Sequence, residues 1–103
     1  MPLITLGVPV YNGVELIGEC LENLARQTLR DFEVIISDNA STDGTSEICD
    51  AFCQRDRRFR HVRHTSTSSA NDNFVFVRDR ADCDYYAFRA YDDLSGPDFL
   101  ERL

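Results

Sequence analysis

The sequence predicts an open α/β sheet, because short apolar runs alternate with helix-patterned amphipathic segments, and polar clusters follow the runs where strands would end. Alternation of this kind favours parallel strands joined by right-handed crossovers. At 103 residues and 43% hydrophobic, with only 5 Gly and 3 Pro, the chain has the composition of one compact domain. Disordered, collagenous and low-complexity readings fall away. No apolar run approaches the roughly 18–20 residues of a membrane span, and Met1-Pro2-Leu3 lacks the basic region of a signal peptide. The expected location is the cytoplasm, free or peripheral at the membrane.

The first run, Leu3-Ile4-Thr5-Leu6-Gly7-Val8, is nearly continuous, as in a strand buried on both faces, and Pro9 is expected to end it. After the turn Tyr11-Asn12-Gly13, the apolar residues Leu16, Ile17, Cys20, Leu21 and Leu24 recur at helical spacing, opposite Glu15, Glu19, Glu22 and Arg26. Phe32-Glu33-Val34-Ile35-Ile36-Ser37 reads as a second buried strand. The polar loop that follows, Asp38-Asn39-Ala40-Ser41-Thr42-Asp43-Gly44-Thr45, is rich in helix-capping side chains and leads into a helix over about 45–55. Phe59-Arg60-His61-Val62-Arg63 alternates, which suits a strand at or near an edge. Residues 65–69 form a Ser/Thr loop. Asn71 or Asp72 then caps a third helix ending near Ala81, chosen over a strand through Phe74-Val75-Phe76-Val77. Tyr85-Tyr86-Ala87-Phe88 is a fourth strand, and Pro97 opens a final helix.

Charge narrows the partners. The 18 acidic side chains outnumber 11 basic ones, all arginine, for a net charge of -7. Nucleic acid is excluded as a partner: the one basic stretch, Arg55, Arg57, Arg58, Arg60 and Arg63 with His61 and His64, is interrupted by Asp56 and apolar residues. It reads as a solvated helix end running into a half-exposed strand. An anion bound by so acidic a chain needs local positive charge from a metal ion or a helix N-terminus. Cys20, Cys49, Cys53 and Cys83 lie in apolar segments and read as reduced, buried thiols. The spacing Cys49-x3-Cys53-x7-His61-x2-His64 departs from zinc-finger patterns.

The turn after the first strand, Val8-Pro9-Val10-Tyr11-Asn12-Gly13, lacks the Gly-x-Gly-x-x-Gly of a dinucleotide site, which removes hydride transfer. Asp38 stands where an acidic residue accepts hydrogen bonds from a ribose or base; a helix cap or Asx-turn explains it equally well. Asp92 and Asp93 are adjacent carboxylates after the fourth strand. Such a pair suits a hard cation that neutralises a diphosphate, or a simple turn and cap.

Taken together and in order, Val8 to Gly13, Gln27-Thr28, Phe32 to Thr45, and Asp92-Asp93 with Pro97-Asp98-Phe99-Leu100 closely resemble the family 2 glycosyltransferases over the whole chain. The resemblance implies the N-terminal half of a GT-A fold, a Rossmann-like open, mostly parallel sheet with flanking helices. It also implies an enzyme that uses a nucleotide-diphospho-sugar donor, UDP-sugar in first place, with inversion at the anomeric carbon. By the same resemblance Pro9, Tyr11 and Asn12 line the nucleotide pocket, and Asp38 accepts an N–H of the base. Asn71 or Asn73 lies near the ribose or diphosphate, Asp43 caps the next helix, and Asp92 and Asp93 hold Mn2+ or Mg2+.

Some features depart from the family pattern. Ala90-Tyr91-Asp92-Asp93 stands where the family often has Asp-x-Asp-Asp, and residues 65–69 carry no glycine. No residue matches the family's catalytic base or its acceptor site. The chain is therefore expected to be a single nucleotide-sugar-binding domain, 1–103, truncated at its C-terminal end. Its acceptor, whether saccharide, lipid or protein, is unknown, and an exposed sheet edge would favour self-association. A non-catalytic binding or assembly module that keeps the fold without turnover is the alternative.

Overall fold

Apolar residues that alternate along two neighbouring strands can bury one face of a sheet only if helices cover it, and that requirement organises this chain. The computed structural model describes residues 4–28, 30–69, 72, 73, 76, 79, 85–89 and 91. Their elements in chain order are β1 (Ile4–Val10), α1 (Ile17–Ala25), β2 (Phe32–Asp38), α2 (Thr45–Arg55), β3 (Phe59–Arg63) and β4 (Tyr85–Phe88). Asp72, Asn73, Phe76 and Asp79 are helical, as expected for a third helix, but its cap is Ser69 and not Asn71 or Asp72: Ser69 Oγ accepts from Asp72 N–H at 3.0 Å and Ser69 O from Asn73 N–H at 3.1 Å. The strands are all parallel, in the order β3-β2-β1-β4. This is the α/β, Rossmann-like arrangement expected, with β3 at one edge of the described sheet.

One face carries the core. Ile4, Leu6, Val8 and Val10 of β1 meet Phe32, Val34 and Ile36 of β2, and Ile17, Cys20, Leu21 and Leu24 of α1 with Cys49 and Phe52 of α2 close over them. Phe52, Phe59 and Phe32 pack edge to face, the first two with ring centroids 4.8 Å apart. Thr5, Ile35 and Ser37, on the other face, are also buried. Burial on both faces is what the unbroken apolar runs anticipated. Cys20, Cys49 and Cys53 form no disulfide among the described residues, and burial pushes the Cys49 thiol up to about 12, so it is an inert core group.

Two other expectations need correction. Pro9 does not end the first strand; it pairs in register with Ser37 inside β1. Gly7 accepts a hydrogen bond from Arg89 at the end of β4, so the backbone of Pro9, two residues on, faces the same side, past the last residue of β4. The N–H that Pro9 lacks is the one that would next meet the Arg89 carbonyl, so the loss falls on the β4 side, where the pairing ends at Gly7 and Phe88, and leaves the pairing with β2 intact. Leu16 is not part of the helix's buried face. It is the N-cap of α1 and 42% exposed, because the helix begins one residue later, at Ile17. Residues 71, 92 and 93, and the final helix expected from Pro97, lie outside the described residues.

At the opposite end of the strands, Asp56 and Arg58 close the α2–β3 turn. Arg58 Nη2 lies 2.6 Å from Asp56 Oδ2, and its guanidinium sits 4.3 Å over the Phe32 ring. The Arg58 hydrogen bond holds the Asp56 carboxyl below its ordinary 3.8, against the opposing effect of burial. A carboxyl lowered by folding stabilises the fold above its unfolded value, and that contribution is lost as pH falls through the lower folded value. Asp56→Asn should therefore lower the urea midpoint at neutral pH, and its difference from wild type should shrink in titrations taken below pH 3.8. Leu21→Ala, at a fully buried position, should cost about 2–5 kcal/mol in the same denaturation measurement, without changing the far-ultraviolet circular dichroism of the folded state.

Candidate nucleotide site at the strand ends

The chain steps outward from β1 through β2 to β3 and then crosses to the far side of β1 to form β4. In such a sheet the connections diverge at the carboxyl ends of β1 and β4, which opens a crevice there. The rim is built by the loops that follow β1 and β2. Register puts Val10 opposite Asp38, so both loops start at the same level. Asn39 N–H donates to Val10 O at 2.9 Å, and His64 N–H donates to Asp38 O at 2.9 Å, which extends the ladder into the rim.

The two loops are cross-linked by side chains. Asn12 N–H donates to Ser41 Oγ at 2.8 Å, Gly13 N–H to Thr45 Oγ1 at 2.9 Å, and Val14 N–H to Asp43 Oδ2 at 3.2 Å. In return Thr42 N–H donates to Asn12 Oδ1 at 2.9 Å. Asp43 also accepts from Thr45 N–H and Oγ1–H, and the Thr45 hydroxyl is the chief reason its carboxyl lies below the ordinary carboxylate value. The N-cap of α2 is Gly44 at φ 100°, so Asp43 shapes the entry to the helix from the residue before the cap. A cleft of about 210 Å³ opens beside this loop, lined by Asn12, Gly13, Glu15, Asp43 and Tyr91 among others. Gly13 is required at its floor: a Cβ there would lie 2.7 Å from the Tyr91 ring and 2.9 Å from Val10 Cγ2.

Asp38 is fully buried, and its two oxygens have different surroundings. Oδ1 accepts both Ser41 N–H, at 3.0 Å, and the Ser41 hydroxyl. Oδ2 has no hydrogen-bond partner among the described residues; His61 Nε2 and Arg63 Nε each lie 3.9 Å from it. The turn reading and the ligand reading of Asp38 therefore fall on different atoms. Arg63 Nη2 donates to Ser41 O at 3.0 Å, which lays the guanidinium along the same edge.

Of the residues expected at the site, Pro9, Tyr11, Asn12 and Asp38 come together on this rim. Pro9 is half-buried, Tyr11 is 46% exposed and Asn12 is exposed. Asn71, Asp92 and Asp93 lie outside the described residues. Asn73 does not face the rim: its amide donates to Ser37 O at 3.0 Å and its oxygen accepts from the Ser37 hydroxyl, which also meets His64 Nε2 at 2.8 Å. This network docks the helical segment beyond the Ser/Thr loop onto the back of the sheet. Asn39 holds that loop itself, donating to Ser68 O at 2.7 Å and accepting from Ser68 N–H at 2.9 Å.

Ser41, His61 and Arg63 were not anticipated. The signal was parity: Phe59, His61 and Arg63 share a face of β3, and a buried Phe59 turns the two polar residues toward Asp38. His64 instead contacts Ser37 and, edge to face at 4.5 Å, Phe76. Among the described residues no group of three or more His, Cys, Asp or Glu side chains is assembled to hold a metal.

The glycosyl transferase family 2 model matches residues 5–103. The glycosyltransferase GlyG of Streptococcus pneumoniae is 33% identical over 101 residues, covering 98% of this chain and 34% of that protein. The chain thus spans about a third of that relative's length. Among solved structures, the mannosyltransferase PcManGT from Pyrobaculum calidifontis, in complex with GDP-Man and Mn2+, superposes with a TM-score of 0.88 at 27% identity. That match covers 96% of this chain and 30% of that one. S. aureus TarS 1-349, in complex with UDP-GlcNAc, superposes at 0.82 with 25% identity, covering 97% and 29%. Its ordered motifs, its parallel β3-β2-β1-β4 sheet and these matches agree: the chain belongs to glycosyl transferase family 2 and has the Rossmann-like sheet of GT-A enzymes.

Proposed function

We propose that the chain is the donor-binding part of an inverting glycosyltransferase, taking a nucleotide-diphospho-sugar, UDP-sugar in first place, together with a divalent metal. The observation that carries this reading is Asp38. A carboxylate oxygen that is fully buried without a hydrogen bond is costly, and an N–H from a nucleobase is the partner it lacks. Oδ1 is filled by Ser41, so Oδ2 is the atom that recognises the base. The neighbours PcManGT and TarS carry GDP-Man and UDP-GlcNAc, and both bases offer a ring N–H. Exposed Tyr11 stands at the rim as the aromatic side chain that flanks the base. Asn12 acts on the loop, since its side-chain oxygen is committed to Thr42.

Asp92 and Asp93 follow Tyr91 in the sequence, and Tyr91 packs against Gly13 at the floor of the cleft. That neighbourhood supports their assignment as the carboxylates for Mn2+ or Mg2+, and the ion in PcManGT is of this kind. When bound, such an ion supplies positive charge to the diphosphate leaving group. An acidic chain of net charge -7 needs that help to bind an anion. Inversion also needs a general base beside the acceptor hydroxyl, opposite the diphosphate, and no residue of these 103 is assigned to it. The reading therefore includes further sequence for the acceptor, 1–103 as one domain of the whole, and a cytoplasmic location, free or at the membrane surface. No helix among the described residues is long and apolar enough to cross a membrane.

Calorimetry with UDP and Mn2+ should give saturable binding. Asp38→Asn should weaken it by about tenfold to a hundredfold, the worth of a hydrogen bond to a charged group. Absence of nucleotide binding by wild type, or equal binding by the variant, would sink the assignment of the site. Asp92→Ala should remove the part of UDP affinity that depends on Mn2+ and leave the metal-free part intact. In the full-length protein the same substitution should abolish Mn2+-dependent hydrolysis of a UDP-sugar; hydrolysis absent from wild type as well would favour a non-catalytic binding module.

A further inference from the structure

Behind Asp38 lies a second carboxylate, joined to it through a histidine. The His61 side chain is only 5% exposed, and its Nδ1 lies 2.6 Å from Asp50 Oδ1 on α2. An ionised carboxylate can only accept, so Nδ1 is the donor in that contact. The other ring nitrogen, Nε2, is buried and faces Asp38 Oδ2 at 3.9 Å, and neither atom has a hydrogen-bond partner among the described residues. A ring with one proton would therefore set a bare nitrogen lone pair against a carboxylate oxygen, two acceptors facing each other inside the protein. A proton on Nε2 turns this into a charge-assisted contact that closes to hydrogen-bond distance with a movement of about 1 Å. The charged and titratable groups facing the ring are Asp50 from α2, Asp38 from β2, and Arg63 beside it on β3. The Cys49 thiol feels both Asp38 and Asp50, and burial keeps it neutral.

We propose that His61, anchored by Asp50, is a positioning residue for Asp38, carrying a proton on each ring nitrogen and donating to Asp50 through Nδ1 and to Asp38 Oδ2 through Nε2. Each carboxylate oxygen has two lone pairs. Ser41 fills both on Oδ1, and His61 takes one on Oδ2, which leaves a single lone pair of fixed direction for the incoming base. The second ring proton comes from solvent, so the device loosens as pH rises and nucleotide affinity falls with it. His61 touches no ligand in this scheme; it acts through Asp38. The functional half of the inference rests on the reading of Asp38 given above, and the geometric half does not.

Both halves are tested on the full chain. In ¹⁵N-histidine-labelled protein, with His64 assigned by His64→Gln, both His61 ring nitrogens should resonate as protonated at neutral pH. Asp38→Asn and Asp50→Asn should each shift the pH midpoint of that signal. A bare Nε2 at neutral pH, including one bridged to Asp38 by an ordered water, or a ring indifferent to Asp38→Asn, overturns the proposal. For function, UDP binding between about pH 6 and pH 8 should weaken as pH rises in wild type. His61→Phe should bind about tenfold more weakly with no such slope. His61→Gln, whose amide can still donate to Asp38, should recover part of the affinity and remain flat with pH. Wild-type affinity in His61→Phe removes the positioning role while leaving Asp38 as the base acceptor. If wild type binds no nucleotide, the donor-site reading falls, and the ring spectrum alone decides whether His61 holds Asp38.

Discussion

The hydroxyl of Ser41 is the smallest part of the rim and the one on which its shape depends. It receives the backbone N–H of Asn12 and gives its own proton to Asp38, so one oxygen atom links the loop after β1 to the carboxylate that ends β2. Each such bond contributes about 0.5–1.5 kcal/mol net, more where a charge is involved. Their larger effect is geometric. Two bonds from Ser41 hold the first oxygen of Asp38, and its second oxygen is turned toward His61 and Arg63 of β3.

That arrangement depends on the sheet beneath it. Parallel pairing of β1 with β2 in a register that sets Val10 against Asp38 brings two loops distant in sequence to one level. The crossover to β4 on the other side of β1 makes the crevice, and Gly13 lets Tyr91 close its floor. A helix-covered core then supplies the rigidity. Asp38 shares a face with Val34 and Ile36, so it continues the buried row of β2 and meets the end of α2 and β3 where the apolar residues stop. A charged group at the end of an apolar row is expensive to bury. Here the cost is offset on one side by Ser41, and on the other by groups that stand near without yet touching, His61 and Arg63.

Much of this was legible from residue patterns. The strands and helices were readable because their periodicity is strong, and the strand-end position of Asp38 because it closes an apolar run, which left its turn and ligand readings equally open. Pro9 and Leu16 were misread for local reasons. A proline is a stop signal only where its N–H is wanted, and that depends on how far β4 extends along β1. Leu16 fits the helical spacing but falls one residue before the helix starts, at a turn set by Gly13 O accepting from the N–H groups of Leu16 and Ile17. His61 was read as part of a solvated stretch of basic residues. Its neighbours in sequence are the exposed Arg60 and the half-buried Val62, while its neighbours in space include two carboxylates on other elements.

The sequence by itself determined the alternation of elements, the unbroken apolar runs of the first two strands, and the polar clusters at the strand ends, because each depends on residues a few positions apart. Ordered motifs along the whole chain also carried the family. Tertiary structure decided what those clusters do to one another. Only the strand order puts β3 beside β2, and only that neighbourhood divides Asp38 into an oxygen that holds a turn and an oxygen that lacks a partner. Hydrogen bonds and charges act over a few ångströms, and beyond the local bonds between Ser41 and Asp38 the residues that meet here, Asn12 with Ser41 and His61 with Asp38, come from separate parts of the chain.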